Sequence, residues 1–250
     1  MQYGPSGPSE EIMKKGIYLL PNSITLCGMF AGFFAIVSAL QGSYVIASWS
    51  IFIGTIFDGL DGTVARLTHT TSKFGIELDS LSDVIAFGVA PAVLVYTWAL
   101  TPFGRVGWAV AFLFTACGAM RLARFNIQKE TTEKKYFTGM PIPAAAGLIL
   151  SHVLFFDYMG WSAERSIYIL FLTTMISFLM VSTLRFRSQK EFNLKRRKPF
   201  LALVFFVLLV SVIVMHPEIS LFTIGAIYMW GGIAENVYLL LTRSRRAEKA

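Results

Sequence analysis

Residues 44–83 read YVIASWSIFIGTIFDGLDGTVARLTHTTSKFGIELDSLSD. From Tyr44 to Phe57 there is no charged residue; then Asp58 and Asp61 follow three apart, a short polar loop intervenes, and Asp79 and Asp83 follow four apart. A helix crossing the hydrocarbon core needs about 20 mostly apolar residues. Residues 44–66 supply one such stretch and 79–99 the next, and six more lie near 17–40, 105–124, 141–158, 166–184, 199–216 and 220–242. The expected fold is therefore all-α, a polytopic membrane protein with about eight transmembrane helices.

The whole chain agrees. It has 250 residues, 55% hydrophobic and 15% charged, where a soluble domain carries about 25% charged residues. The mean hydropathy is +0.60. This excludes intrinsic disorder, a collagen and a disulfide scaffold. The two cysteines, Cys27 and Cys117, sit inside apolar runs and form no metal or disulfide pattern. The net charge of +7 does not point to nucleic acid, because the basic residues alternate with apolar stretches, which is a topology signal. The first apolar run lacks the features of a cleavable signal.

With eight spans, the N-terminus and every second loop share one side. That side holds twenty Lys and Arg, among them Lys14, Lys15, Arg66, Lys73, Arg121, Arg124, Lys134, Lys135, the cluster Lys195–Lys198 and Lys249; the other side holds only Arg105 and Arg165. Positive charge collects on the cytoplasmic side, so both termini are expected in the cytoplasm and the protein in the cell (inner) membrane. The cluster Lys195–Lys198 either meets anionic headgroups or only fixes topology. Residues 1–16 read as a tail and interfacial segment, with a short interfacial helix from Glu10 to Tyr18 before Pro21. Residues 17–242 read as a single transmembrane catalytic domain, and 243–250 as a basic cytoplasmic tail.

Ionisable groups inside spans are costly and mark function. Asp58, Asp61, Asp79, Asp83 and Glu235 are the acidic residues so placed. Spacings of three and four put side chains on one helical face, and the short loop makes spans two and three antiparallel neighbours. Two carboxylate pairs then face one cleft, where their mutual repulsion calls for cations. Oxygen ligands without His or Cys suit Mg²⁺ or Mn²⁺, and two ions fit such a site. Asp58 stands nine residues before Leu67, about 13 Å at 1.5 Å per residue. That depth implies a lipid substrate whose headgroup meets the ions and whose chains stay in the bilayer. Asp79 also has the chemistry of an N-cap for span three. Glu235 pairs with a basic residue, lines a dimer contact or snorkels; nothing puts it in the active site.

The stretch 58–83 contains Asp61-Gly62, Ala65-Arg66, Gly75, Asp79 and Asp83, so that D-G-x2-A-R-x8-G-x3-D-x3-D is matched at every fixed position, with Asp58 three residues ahead. This resembles the signature of the CDP-alcohol phosphotransferase family. Small Gly62 and Ala65 let a nucleotide approach the helix backbone, with simple helix packing as the alternative for the glycine, and Arg66 offers forked donors to phosphate. The resemblance implies that Asp58, Asp61 and Asp79 hold metal ions, that Asp83 reaches the second ion and serves as general base, and that Gly62, Arg66, Ser72 and Gly75 belong to the CDP-diacylglycerol site. Pro21-Asn22-Ser23-Ile24-Thr25 resembles the family's first-span motif near the diphosphate, which adds Asn22 and Thr25 to that site. Homodimers are typical of the family, so a homodimer is expected.

Two further segments bear on the acceptor. Gly118-Ala119-Met120-Arg121-Leu122-Ala123-Arg124-Phe125-Asn126 closes span four, and Phe137-Thr138-Gly139-Met140-Pro141-Ile142-Pro143 opens span five. Both resemble the bacterial and archaeal phosphatidylserine synthase branch of the family. This implies transfer of the phosphatidyl group from CDP-diacylglycerol to L-serine. Arg121, Arg124 and Asn126 are the candidate serine contacts, since Arg pairs bidentately with a carboxylate; the alternative for both arginines is snorkelling to the interface. Gly139 and Pro141 read as a re-entrant turn beside the site. The nearest rival is a sister enzyme using glycerol 3-phosphate or an inositol acceptor. An intramembrane prenyltransferase gives no reason for the Ala65-Arg66, Gly75 and Asp83 spacing, and a cation transporter places its site nearer the midplane.

Overall fold

The computed structural model describes residues 8–68, 70, 72–129, 136–164, 166–187 and 215–247. Lys134, Lys135, Arg165, Lys195–Lys198, Lys249, the first seven residues and 199–214 of the seventh expected span lie outside these described residues. Seven helical rods are described: α1 (Pro8–Leu40), α2 (Tyr44–Leu67), α3 (Lys73–Phe103), α4 (Arg105–Lys129), α5 (Ile142–Tyr158), α6 (Ile167–Val181) and α7 (Pro217–Ala247). The segments Leu19–Leu40, Tyr44–Leu67, Lys73–Phe103 and Arg105–Ile127 are long and apolar enough to cross a membrane. The chain is thus a multi-pass membrane protein.

Several boundaries differ from expectation. Helix α1 runs unbroken through Pro21, so the expected short helix before that proline is the first part of one rod. Pro21 withdraws only the one N–H that would have gone to the carbonyl four residues back, and the helix continues past it. Helix α3 starts at Lys73 rather than Asp79. Its N-cap is Ser72, whose Oγ accepts from the Gly75 N–H at 2.9 Å, so Asp79 does not cap it. The polar first turns, KFGIELDS, lower the local hydropathy and hide the true start.

Beyond Asp83, α3 widens into π-helical turns at Val84–Val89, where the Ala90 N–H reaches the Ile85 carbonyl. Pro91 follows directly and cannot donate to the Phe87 carbonyl, which breaks the regular ladder at this point. Such turns are frequent at functional sites. A glycine makes room for this rod: a Cβ on Gly32 of α1 would stand 2.6 Å from the Ala86 Cα, so only glycine permits that approach.

Helices α1 and α2 pack along each other, α3 packs on α1, and α4 packs on α6. Helix α5 runs through the middle, against α2 and α7. It is only 17 residues long, yet from Leu148 to Leu154 every side chain is buried. A helix wrapped by protein does not need the length of a lipid-facing span. Its one ionisable buried group, His152, is satisfied by the Leu148 carbonyl oxygen at 2.7 Å and the Tyr168 hydroxyl at 2.9 Å. The outward face of α1 carries Leu26, Phe30, Phe33 and Phe34, all exposed, as suits contact with lipid tails.

One feature is β rather than α. Tyr136–Thr138 (β1) and Arg185–Arg187 (β2) form a two-stranded antiparallel ribbon, Phe137 opposite Phe186. The ribbon ties the connection before α5 to the segment after α6. The expected turn at Gly139 is part of this tie. Gly139 has φ +85°, and a Cβ there would stand 2.2 Å from the Met180 carbonyl oxygen; its N–H donates to Leu184 at 2.8 Å. Gly139→Ala therefore meets both backbone strain and a clash. It should destabilise the protein by about 1–3 kcal/mol, read as a lowered Tm in detergent.

Candidate active site

Four aspartates converge where α2 ends and α3 begins. Asp58 and Asp61 stand on the last turns of α2, and Asp79 and Asp83 on the first turns of α3. The short connection, with Thr68 and Thr70 hydroxyls 2.6 Å apart, brings the two helix ends side by side. Carboxylate oxygens of Asp58, Asp61 and Asp79 all lie within 4.8 Å of one another. Asp83 lies within hydrogen-bonding range of Asp58. Thr25, Gly28, Gly54, Ser82, Ala86 and Phe87 complete the walls of the cleft.

This donor set can do one thing readily. Three carboxylates at that separation, without sulfur or imidazole, match hard divalent cations bound through oxygen. Without cations their charges repel each other in a poorly hydrated place. Asp61 is 6% exposed, and Thr25 Oγ1 donates to its Oδ2 at 2.7 Å.

The residues expected around the nucleotide fall into two groups. Gly62 has open space where a Cβ would point, which leaves the backbone accessible. Arg66 is exposed at the end of α2, its Nη2 donating only a long bond, 3.3 Å, to Thr63 Oγ1. Asn22, Ser72 and Gly75 meet at the head of α3: a Cβ on Gly75 would lie 3.1 Å from both Asn22 Oδ1 and Ser72 Oγ. Gly75 is thus the close approach of α1 to the start of α3, and Gly75→Val should splay the two. The expected result is a higher KM for the nucleotide substrate, measured in steady state with the acceptor saturating.

The three residues expected to meet the acceptor have different surroundings. Arg124 Nη2 donates to the Val181 carbonyl at 2.7 Å and caps α6. Asn126 Nδ2 donates to Ser80 Oγ at 2.8 Å, joining α4 to α3. Arg121 is different: it is 6% exposed, it lies over the Phe125 ring at 5.5 Å, and among the described residues its Nε has no hydrogen-bond partner. Its guanidinium lies near Asp83 and near Tyr228 of α7. Leaving a buried donor unpaired costs about 1–3 kcal/mol, so a ligand with an acceptor oxygen has a place there.

Sequence reading missed Ser82, whose Oγ donates to the Thr25 carbonyl at 3.2 Å, and Tyr228. Ser82 adjoins Asp83 in the motif, but its partner is 57 residues away. Tyr228 lies in a helix without a diagnostic motif.

Comparison with known proteins agrees with this geometry. The family model for CDP-alcohol phosphatidyltransferase matches residues 18–181, which include all four aspartates. The CDP-diacylglycerol–serine O-phosphatidyltransferase of Helicobacter pylori is 40% identical over 230 residues, 90% of this chain and 94% of its own. The protein of the same name from Mycobacterium bovis is 33% identical over 85% of this chain and 76% of its own. The archaetidylserine synthase of Methanothermobacter thermautotrophicus is 38% identical over 67% of this chain and 69% of its own.

Proposed function

The chain belongs to the CDP-alcohol phosphatidyltransferase family, and from that premise we propose that it transfers the phosphatidyl group of CDP-diacylglycerol to the hydroxyl of L-serine, giving phosphatidylserine and CMP. The observation that carries this reading is the convergence of Asp58, Asp61 and Asp79 in a chain 40% identical to a protein named for that reaction. It acts as a homodimer in the inner membrane, with its cleft toward the cytoplasm; the split of basic residues supports that orientation.

Asp58, Asp61 and Asp79 would hold two divalent cations, Mg²⁺ or Mn²⁺, with Asp83 as a further ligand, and such ions would supply positive charge against the diphosphate and the departing CMP. Gly62, Arg66, Asn22, Ser72 and Gly75 receive the CDP moiety, Arg66 through its exposed guanidinium. Asp83 takes the proton from the serine hydroxyl. The serine oxygen forms a bond to the phosphorus that bears diacylglycerol, and the bond from that phosphorus to CMP breaks. The proton leaves Asp83 for water. Geometry matters more than basicity for such a carboxylate, and the place of Asp83 beside Asp58 keeps it at the reacting centre.

Arg121 binds the serine carboxylate. Arg124 and Asn126 are occupied in joining α4 to α6 and to α3, and act on serine by keeping α4 in place. Removing a hydrogen bond to a charged group costs about 1.5–3 kcal/mol. Arg121→Met should therefore raise the KM for serine about 10- to 100-fold, while the KM for CDP-diacylglycerol holds. The same variant should lose its preference for serine over serinamide, which lacks the carboxylate.

Release of CMP from CDP-diacylglycerol by purified protein, with L-serine, glycerol 3-phosphate or inositol as the added alcohol, tests the acceptor. Release with serine alone is expected. Release with glycerol 3-phosphate or inositol instead would keep the family chemistry and discard serine.

A further inference from the structure

The first-span motif places Thr25 among the expected nucleotide contacts, but its surroundings give it other work. It is 5% exposed. Its hydroxyl stands 2.7 Å from Asp61 Oδ2 and 3.1 Å from the Pro21 carbonyl oxygen. A hydroxyl has one proton to give, and the carboxylate is both the nearer and the stronger acceptor. Its own carbonyl accepts from Ser82 Oγ, the residue before Asp83. One residue of α1 is thus bonded through its side chain to the helix carrying Asp61, and through its backbone to the helix carrying Asp83. Small residues let the three helices close around it: a Cβ on Gly28, one turn on, would be 3.5 Å from Phe57 of α2 and 3.8 Å from Ser82 of α3.

The geometry points to Thr25 as a positioning residue that orients Asp61 for divalent-cation binding, and not as a contact of the nucleotide. The inference rests on the metal reading given above. Outer partners that orient a ligating group are worth about 10- to 100-fold in metal affinity, and a carboxylate fixed by a buried hydroxyl is such a case. Ser keeps the hydroxyl; Val keeps the shape and loses it.

The test is Mn²⁺ binding to purified protein in detergent without CDP-diacylglycerol, followed by the loss of the free-ion paramagnetic resonance signal. Wild type and Thr25→Ser are expected to bind alike, and Thr25→Val about 10- to 100-fold more weakly. With Mn²⁺ raised to saturation, the KM of Thr25→Val for CDP-diacylglycerol should match wild type. If Thr25→Val fails to fold, Thr25→Ala takes its place with the same expectation, since it too lacks the hydroxyl. Unchanged Mn²⁺ affinity in the hydroxyl-free variant, with a raised KM for CDP-diacylglycerol, would return Thr25 to the nucleotide site and overturn the inference. A wild type that binds no Mn²⁺ would instead overturn the metal reading, and this inference with it.

Discussion

Asp83→Asn is expected to lower kcat about 100- to 10,000-fold, the usual worth of a positioned general base. The substitution keeps size and removes the ability to take a proton. Asp83 sits on α3 where the regular helix gives way to π-helical turns, within hydrogen-bonding range of Asp58. The residue is thereby held at the reacting centre by its own helix and not by a flexible loop. Because Asp83 also reaches the cation site, the same preparation should be titrated with Mn²⁺. A base gives a loss of kcat that persists at saturating Mn²⁺. A loss that added Mn²⁺ repairs would make Asp83 a ligand only, and the proton would have to leave by another route.

Asp79→Asn is expected to separate charge from stability. In the cation-free protein Asp58, Asp61 and Asp79 repel one another across less than 4.8 Å. Removing one charge relieves that repulsion, so the variant without cations should melt higher than wild type. Cations should then do little for it. A ligand at 100 times its Kd stabilises the native state by about 2.7 kcal/mol, which wild type should show as a rise in Tm with Mn²⁺. Asp79→Asn should lose most of that rise together with turnover. The opposite movements of the two melting curves distinguish a cation site from a merely structural cluster, for which any substitution would lower Tm with and without the ion.

The parts of this protein that were legible in its sequence are those where physics acts at short range along the chain. The aspartates at three- and four-residue spacing put their carboxylates on facing helix surfaces because helical periodicity and a short loop leave them no other place. The apolar stretches gave α2 nearly to the residue and the start of α4, which runs five residues past its expected end, to Lys129. Capping was harder. Ser72 and Asp79 both have N-cap chemistry, and the polar turn between them looked like loop by hydropathy; the structure chooses Ser72 because Gly75 offers its N–H and makes room for Asn22.

What stayed hidden depends on partners far apart in sequence. The bond from Arg124 to Val181 crosses 57 residues, and that from Thr25 to Asp61 crosses 36. The ribbon of Tyr136–Thr138 with Arg185–Arg187 joins two segments too short to announce themselves as strands. Helix α5 is short for a span, 17 residues, because its burial comes from other helices, which a window of neighbouring residues does not see. Arg121, Arg124 and Asn126 look equivalent in sequence, and only their different partners single out Arg121.

The most direct measurement supplies purified protein with CDP-diacylglycerol, Mg²⁺ or Mn²⁺ and radiolabelled L-serine, and follows label into the lipid phase. Labelled phosphatidylserine is expected in step with CMP, none when the cation is chelated, and a near-complete loss in Asp83→Asn. Folded wild-type protein that transfers no label and releases no CMP under these conditions would contradict it.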